Sequence, residues 1–278
     1  MDATVSTEWL AAHLGAPDVA VLDASFYLPA QNRDATAEYA AAHIPGAHRF
    51  DFDALADPSS GLPHMLPSGD VFAAAVGAMG IGNDARVVVY EGSGLQSSAR
   101  AWWMFRCFGH DGVAVLEGGL PKWTAEGRAT ESSAPSAAAA TFAAKLRPEL
   151  VRGLDDVRAN VDSGAALVLD ARSRGRFDGS EPEARKGLRS GHIPGSACMP
   201  FTELVDPETK SLREPESLRA LLAQAGVSAG QPVITTCGSG VTACILGLAL
   251  HLTGHDDWAV YDGSWTEWGG HPDTPVET

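Results

Sequence analysis

Short stretches of this chain recur in the same order at nearly the same spacing. VLDA at 21–24 returns at 168–171, HIPG at 43–46 at 192–195, and GSG at 92–94 at 238–240. EGGLPKW (117–123) and YDGSWTEW (261–268) align Gly118 with Gly263 and Trp123 with Trp268. The four offsets run from 145 to 149 residues, so they share one register to within five positions. A tandem duplication gives such a pattern and chance rarely does. Whatever one half folds into, the other must fold into as well.

The seam lies in ATESSAPSAAAATFAAKLRP (129–148), whose core SSAPSAAAA is the lowest-complexity stretch and has no sustained amphipathic period. It reads as an interdomain linker, which divides the chain into domains at 1–130 and 149–278 joined by 131–148. Within each half, short runs rich in Val, Leu and Ile (VAVLDA, RVVVY, ALVLDA, PVITT) read as buried strands. Helical patterns sit between them, as at 69–79 and 215–225, the latter with Leu218, Leu221, Leu222 and Ala225 on one face. Strands alternating with helices predict an α/β fold: two domains, each a parallel sheet with helices on both faces. Sites in such sheets lie at the carboxyl ends of the strands.

Composition narrows the function classes. Twenty Lys and Arg against 35 Asp and Glu give a net charge of −15, which repels phosphate backbones and anionic membranes. The longest apolar run, Ala243–Leu252, is half of what a bilayer crossing needs. MDATVSTEWL lacks the basic head and apolar stretch of a secretory signal. Four cysteines form neither a disulfide framework nor a Cys-x-x-Cys pair. The expectations are no nucleic acid, no membrane, a reducing cytoplasm and a monomer, with a dimer left open. No phosphate-loop lysine, dinucleotide glycine fingerprint or metal-ligand cluster is present, so neither a metal nor another cofactor is expected.

The chemistry concentrates at 237–242. PVITT ends in Cys237-Gly238-Ser239-Gly240-Val241-Thr242, and ACILGLALHL follows as an apolar helix. Gly238 and Gly240 can take positive φ, curling the loop so that backbone N–H groups point inward. With a helix N-terminus behind it, such a cradle stabilises negative charge and should favour a thiolate. A lone cysteine is more often a packing residue. Strand end, glycine pair and helix start together mark Cys237 as a nucleophile.

HIPGAHRFDFD, HMLPSG, ARAWWMFRCFGH, GRFDGSEPEARKG, GHIPGS, CGSGVTAC and YDGSWTEW carry a resemblance that covers nearly the whole chain. The sequence resembles the two-domain rhodanese superfamily of sulfurtransferases, and within it the mercaptopyruvate type. The resemblance implies a persulfide on Cys237, bound among Gly238, Gly240, Val241 and Thr242, and a catalytic second half only. At the matching place in the first half, after RVVVY, stands Glu91, which cannot carry sulfur.

Thiosulfate-specific relatives place cations directly after the cysteine; here Gly238 and Ser239 stand there. Two unit charges ~4 Å apart interact by roughly 4 kcal/mol at an effective dielectric near 20, enough to penalise a dianionic donor heavily. Residues 172–189 hold five Arg and one Lys against three acids. Arg176 and Arg185 match the family's substrate arginines, whose planar fork suits a carboxylate beside a keto oxygen. Arg174, Lys186 and Arg189 read as a solvated basic loop, and Arg172 as a partner of nearby carboxylates.

The resemblance also implies that Ser239, His64 and Asp53 form a proton relay, with the histidine moving the proton and the aspartate fixing its tautomer. The sulfur acceptor it implies is a dithiol protein such as thioredoxin, with small thiols or cyanide as substitutes. Cys107, Cys198 and Cys244 read as packing residues, His43 and His192 as turn residues, and Trp102, Trp103, Trp265 and Trp268 as core. Three other functions compete with this reading. A cysteine phosphatase needs an arginine closing the loop, where Ala243 stands, and no basic residue lies between Cys237 and His251. A thiosulfate sulfurtransferase is the nearest alternative. A non-catalytic rhodanese module predicts loss of the nucleophile, as at Glu91.

Overall fold

A computed structural model describes residues 1–28 and 31–278. Two compact units are present: Met1–Leu55 with Pro67–Leu146 and Asp206–Leu212, and Ala56–Leu66 with Arg147–Val205 and Arg213–Thr278. Neither unit is continuous in sequence. Each is completed by a short segment from the other half of the chain, an exchange that the repeat pattern alone does not disclose.

The first unit holds β1 (Thr4–Val5), α1 (Thr7–His13), β2 (Val19–Asp23), α2 (Ala35–Ala41), β3 (His48–Arg49), α3 (Gly69–Ala78), β4 (Arg86–Tyr90), α4 (Ser98–Cys107), β5 (Val113–Leu116) and α5 (Gly119–Ala125). The second holds β6 (Val151–Arg152), α6 (Leu154–Ser163), β7 (Leu167–Asp170), α7 (Arg174–Phe177), β8 (Ala197–Cys198), α8 (Phe201–Leu204), α9 (Pro215–Gln224), β9 (Val233–Thr236), α10 (Ala243–Leu252), β10 (Trp258–Tyr261) and α11 (Ser264–Trp268). The sheets are ordered β1-β5-β4-β2-β3 and β6-β10-β9-β7-β8, every pair parallel. The two orders are the same pattern, as a duplication requires. The expected strands VAVLDA, RVVVY, ALVLDA and PVITT are β2, β4, β7 and β9, each an inner strand whose consecutive residues are buried on both faces of the sheet, which is why each reads as a nearly continuous run.

Beside the central strands β4 and β9 run α4 and α10, buried on nearly every side. That explains why ACILGLALHL is apolar all round rather than striped. Surface helix α9 keeps a stripe: Leu218 and Leu222 are buried, with Leu221 and Ala225 half-buried. Trp123 packs with Val21, Val88 and Leu116 in one core. Trp265 and Trp268 pack with Val168, Ile234 and Tyr261 in the other. Both tryptophans of α4 are fully buried, in keeping with the packing role read from the sequence.

Segment 131–146 forms no helix or longer strand but does not hang free. It is strapped along the first unit by Ala140 N–H to Gly77 O (2.9 Å), Lys145 N–H to Phe108 O (2.9 Å) and Asn83 to Ala143. Phe142 inserts edge-on against Phe72 and Phe105. The alanines that made this stretch look low in complexity let its backbone lie close, and the one aromatic anchors it. His43 and His192 are turn residues: each stacks on a ring four or fifteen residues back and bridges to Glu131 or Glu277. No helix among the described residues is long and apolar enough to cross a membrane.

Candidate active site

Cys237 is the first residue past β9 and is 2% exposed. The loop it opens is held in shape by the start of α11. Ser264 Oγ accepts from the N–H of Cys237 (3.2 Å) and of Gly240 (3.1 Å) and donates to the Tyr261 carbonyl (2.8 Å). Trp265 N–H donates to Cys237 O (2.9 Å), while the Thr266 N–H and hydroxyl both donate to Gly238 O (2.9 and 2.6 Å). Meanwhile the N–H groups of Gly238, Ser239, Val241, Thr242 and Ala243 meet no acceptor among the described residues. They stand at the N-terminus of α10, where the backbone partial charges favour an anion. Of the loop residues named from the sequence, Gly238, Val241 and Thr242 therefore keep uncommitted amides while Gly240 gives its own to Ser264, and a sulfur anion carried on Cys237 is what the open amides suit.

Ser264 was not singled out in the sequence. It sits at φ +49, a left-handed conformation rare for a residue with a side chain. Its counterpart in the first half is Gly119, at φ +55. A serine where the fold would take glycine costs about 1 kcal/mol or more of strain. In return its hydroxyl makes three hydrogen bonds that Gly119 cannot, two of them to this loop and one to Tyr261. The offset of 145 residues that aligns EGGL with DGSW was the available signal.

Of the two loop glycines, only Gly240 has the expected positive φ, +75. Gly238 serves a different purpose: a methyl there would lie 3.0 Å from Arg176 Nη2. Absence of a side chain lets the guanidinium rest directly over the loop. Arg176 is held from behind by Glu183, whose Oε2 accepts from Nη2 (2.6 Å) and Nε (3.2 Å). Glu183 Oε1 accepts from Arg172 Nη1 at 2.6 Å. Arg172 is itself fully buried, clamped by Asp170 and the Gly191 carbonyl, and stacked 4.3 Å over Trp265. Burial pulls its pKa down, but Asp170 and Glu183 outweigh that and raise it. Arg172 is thus the structural cation expected, and Glu183 is the second residue that the sequence reading passed over.

Arg185 lies in the same unit, with Nη2 3.1 Å from His64 Nε2. A guanidinium only donates, so His64 Nε2 is the acceptor in this contact. His64 is 4% exposed, sits at φ +63, and arrives on the exchanged segment Ala56–Leu66. That segment is pinned by Leu66 N–H to Asp262 Oδ2 at 2.8 Å. Ser239 is 7% exposed, in the loop itself. Asp53 is an exposed residue of the first unit, in a turn capped by Asp51. Of the expected relay, the second unit therefore brings in Ser239 and His64, with Nε2 of the latter engaged by Arg185.

One sequence expectation in the basic run is overturned. Arg189 is not solvated: its guanidinium donates to the carbonyls of Trp268, Gly269, His271 and Thr274, tying down the chain after α11. A forked donor beside a carbonyl-rich turn is drawn in, whatever its charge. Arg174 and Lys186 are exposed, Arg174 in a surface pair with Glu203. Among the other thiols Cys107 and Cys244 are buried, Cys244 Sγ lying 3.2 Å from Gly240 O. Cys198 is half-buried, and burial pushes its pKa up to about 11.

The matching loop of the first unit carries Glu91, whose Oε2 accepts from the N–H of Ser97 and Ser98 at the start of α4 and from the Ser97 hydroxyl. The cradle is filled by the chain's own carboxyl. Burial raises the pKa of Glu91 against the opposing pull of those donors. A methyl on Gly92 would collide with the Tyr27 hydroxyl, and Arg33 reaches Ser93 Oγ (3.2 Å) while paired with Glu38. Arg33 and Glu38 form an Arg–Glu pair beside this loop, as Arg176 and Glu183 do beside the other, but here the arginine closes the loop over.

Comparison with known proteins agrees with this geometry. The model of the rhodanese-like domain matches residues 6–126 and again 153–271. Thiosulfate/3-mercaptopyruvate sulfurtransferase 1, mitochondrial, of Arabidopsis thaliana is 47% identical over 99% of this chain and 78% of its own. The human 3-mercaptopyruvate sulfurtransferase is 43% identical over 96% of this chain and 91% of its own. The crystal structure of SseA, a 3-mercaptopyruvate sulfotransferase of Escherichia coli, superposes with a TM-score of 0.87 at 39% identity, covering 95% of this chain and 99% of that one. Two family matches at the two repeats, and relatives at 39 to 47% identity over nearly the whole chain, lead to one conclusion: the chain belongs to the two-domain rhodanese family of sulfurtransferases.

Proposed function

We propose that the protein is a 3-mercaptopyruvate sulfurtransferase working through a Cys237 persulfide. The observation that carries this reading is the Cys237 loop: five uncommitted N–H groups around a buried thiol, no cation on the loop itself, and two arginines in the same unit. The loop would hold sulfur, and Arg176 and Arg185 would hold the carboxylate and keto oxygen of an α-keto acid. The Cys237 thiolate attacks the donor sulfur; an S–S bond forms as the C–S bond breaks, and the electron pair leaves as pyruvate enolate. A proton delivered to the enolate carbon gives pyruvate.

Ser239 is the proton donor in this scheme, with His64 replenishing it and Asp53 completing the relay that the family resemblance implies. Arg185 must then leave His64 Nε2 as it takes up the substrate. An incoming thiolate next attacks the outer sulfur and frees Cys237. A dithiol protein such as thioredoxin fits that step, and cyanide would serve in its place. A reducing cytoplasm suits four free thiols, and a net charge of −15 favours a monomer, with a dimer left open.

A thiosulfate sulfurtransferase is the second reading, favoured by the double name of the Arabidopsis relative. The test is kcat/KM for 3-mercaptopyruvate and for thiosulfate with one acceptor, using Cys237→Ser as the blank. A large preference for mercaptopyruvate, lost in the variant, is the expected result. A preference for thiosulfate would overturn the donor assignment, and activity with neither would overturn the sulfurtransferase reading.

A further inference from the structure

The arginine clamp carries less charge than its residues suggest. Glu183, with a side chain 2% exposed, bridges Arg172 at 2.6 Å and Arg176 at 2.6 Å. Asp170 takes the other side of Arg172, at 2.6 Å. These four groups form one continuous chain of alternating charge, Asp170–Arg172–Glu183–Arg176. Its only partly exposed member is Arg176, whose side chain is 24% exposed over the Cys237 loop. Arg185, in contrast, has Nη2 3.1 Å from the Nε2 of His64. Three guanidiniums against two carboxylates leave a single net positive charge to meet a donor.

We propose that Glu183 sets donor choice: by neutralising Arg176 while leaving its outer N–H groups over the loop, it matches the clamp to a monoanionic α-keto carboxylate and against a dianion. This rests on the proposed function and adds a residue to it. Glu183 is a positioning and charge-setting residue that acts through Arg176. A carboxylate buried between two guanidiniums is an unusual expense for a loop with abundant surface acid, since stripping water from it is unfavourable unless both oxygens are used. Both are used here. One oxygen of Glu183 serves the buried Arg172, as acceptor for its Nη1 beside the Asp170 and Gly191 contacts; the other is spent on pairing Arg176.

The test is Glu183→Gln, which keeps size and one acceptor while removing the charge. An added unit charge at this range, screened by solvent, shifts a dianion relative to a monoanion by about tenfold. The expected result is that kcat/KM for thiosulfate rises relative to that for 3-mercaptopyruvate by about that factor, mainly through KM for thiosulfate. Equal loss with both donors, or an unchanged ratio, would show a merely structural residue and overturn the inference while the parent's use of mercaptopyruvate still stood. A parent inactive with mercaptopyruvate would instead overturn the proposed function. A measurement on the unmodified protein covers the case in which the variant does not fold. Pyruvate, a monoanion, should inhibit more strongly than oxalate, a dianion of similar size, and the reverse order would overturn the inference.

Discussion

The loop at Cys237 and the loop at Glu91 are the same structure put to opposite ends. Each follows the middle strand of a five-stranded parallel sheet, opens a buried helix and has an Arg–Glu pair beside it. In the second unit the helix N–H groups are left open and the arginine stands over a bare glycine. In the first, Glu91 takes up the N–H groups of Ser97 and Ser98, while Tyr27 and Arg33 close the mouth. The difference teaches that this fold supplies an anion cradle by default. Function then depends on whether the chain fills that cradle itself.

If the first loop is closed rather than merely short of a thiol, supplying the thiol does not restore it. Glu91→Cys in a Cys237→Ser background should leave sulfur transfer at the blank level, at least ~10³-fold below the parent in kcat/KM. Activity recovered within ten- to a hundredfold, by roughly that measure, would mean that Tyr27 and Arg33 do not seal the loop.

A second contrast is Ser264 against Gly119. Ser264→Gly removes three hydrogen bonds yet relieves the positive φ, so the fold should tolerate it with little change in melting temperature. Turnover should still drop roughly ten- to a hundredfold, because a loosened loop misplaces the sulfur. KM should hardly move, since the arginines are untouched. A KM effect without a kcat effect would contradict this assignment.

The smallest effect concerns Glu91 and pH. Its folded-state pKa lies above the ordinary 4.5 because it is buried, so the folded protein holds this proton more tightly than the unfolded chain does. The benefit is full below the ordinary value and is lost as pH climbs from there through the raised folded value. Glu91→Gln keeps an acceptor for Ser97 and Ser98 without ionising. Relative to the parent, the variant should therefore gain unfolding free energy as pH rises above about 4.5 and level off beyond the folded value. Urea melts at several pH values read this out, and a parent–variant difference independent of pH would refute it.

Much of this was legible in the sequence because it is local or periodic. The repeat offsets announced two like domains, and both sheets have the same strand order. CGSGVT after PVITT announced the loop, since strand end, glycines and helix start all lie within a few residues. What stayed hidden depends on distant pairing. Glu183 looked like one more acid in a mixed run until it was found between Arg172 and Arg176. Arg189 looked solvated because the carbonyls that hold it lie 79 to 85 positions away. The exchanged segments likewise follow from contacts, although His64 and Lys210, both at positive φ and 146 residues apart, keep the register of the repeat. Lys210 packs on Gly94 in the first unit, and His64 meets Arg185 in the second.

The central claim is that one of the two loops carries sulfur and the other cannot. It is tested most directly by treating the protein with 3-mercaptopyruvate without an acceptor and mapping the added sulfur by peptide mass spectrometry under non-reducing conditions. The account predicts one extra sulfur atom per chain, on Cys237, absent from Cys107, Cys198 and Cys244 and absent altogether from Cys237→Ser. Added sulfur on another cysteine of the unmodified protein, or sulfur retained by the Cys237→Ser variant, would contradict it.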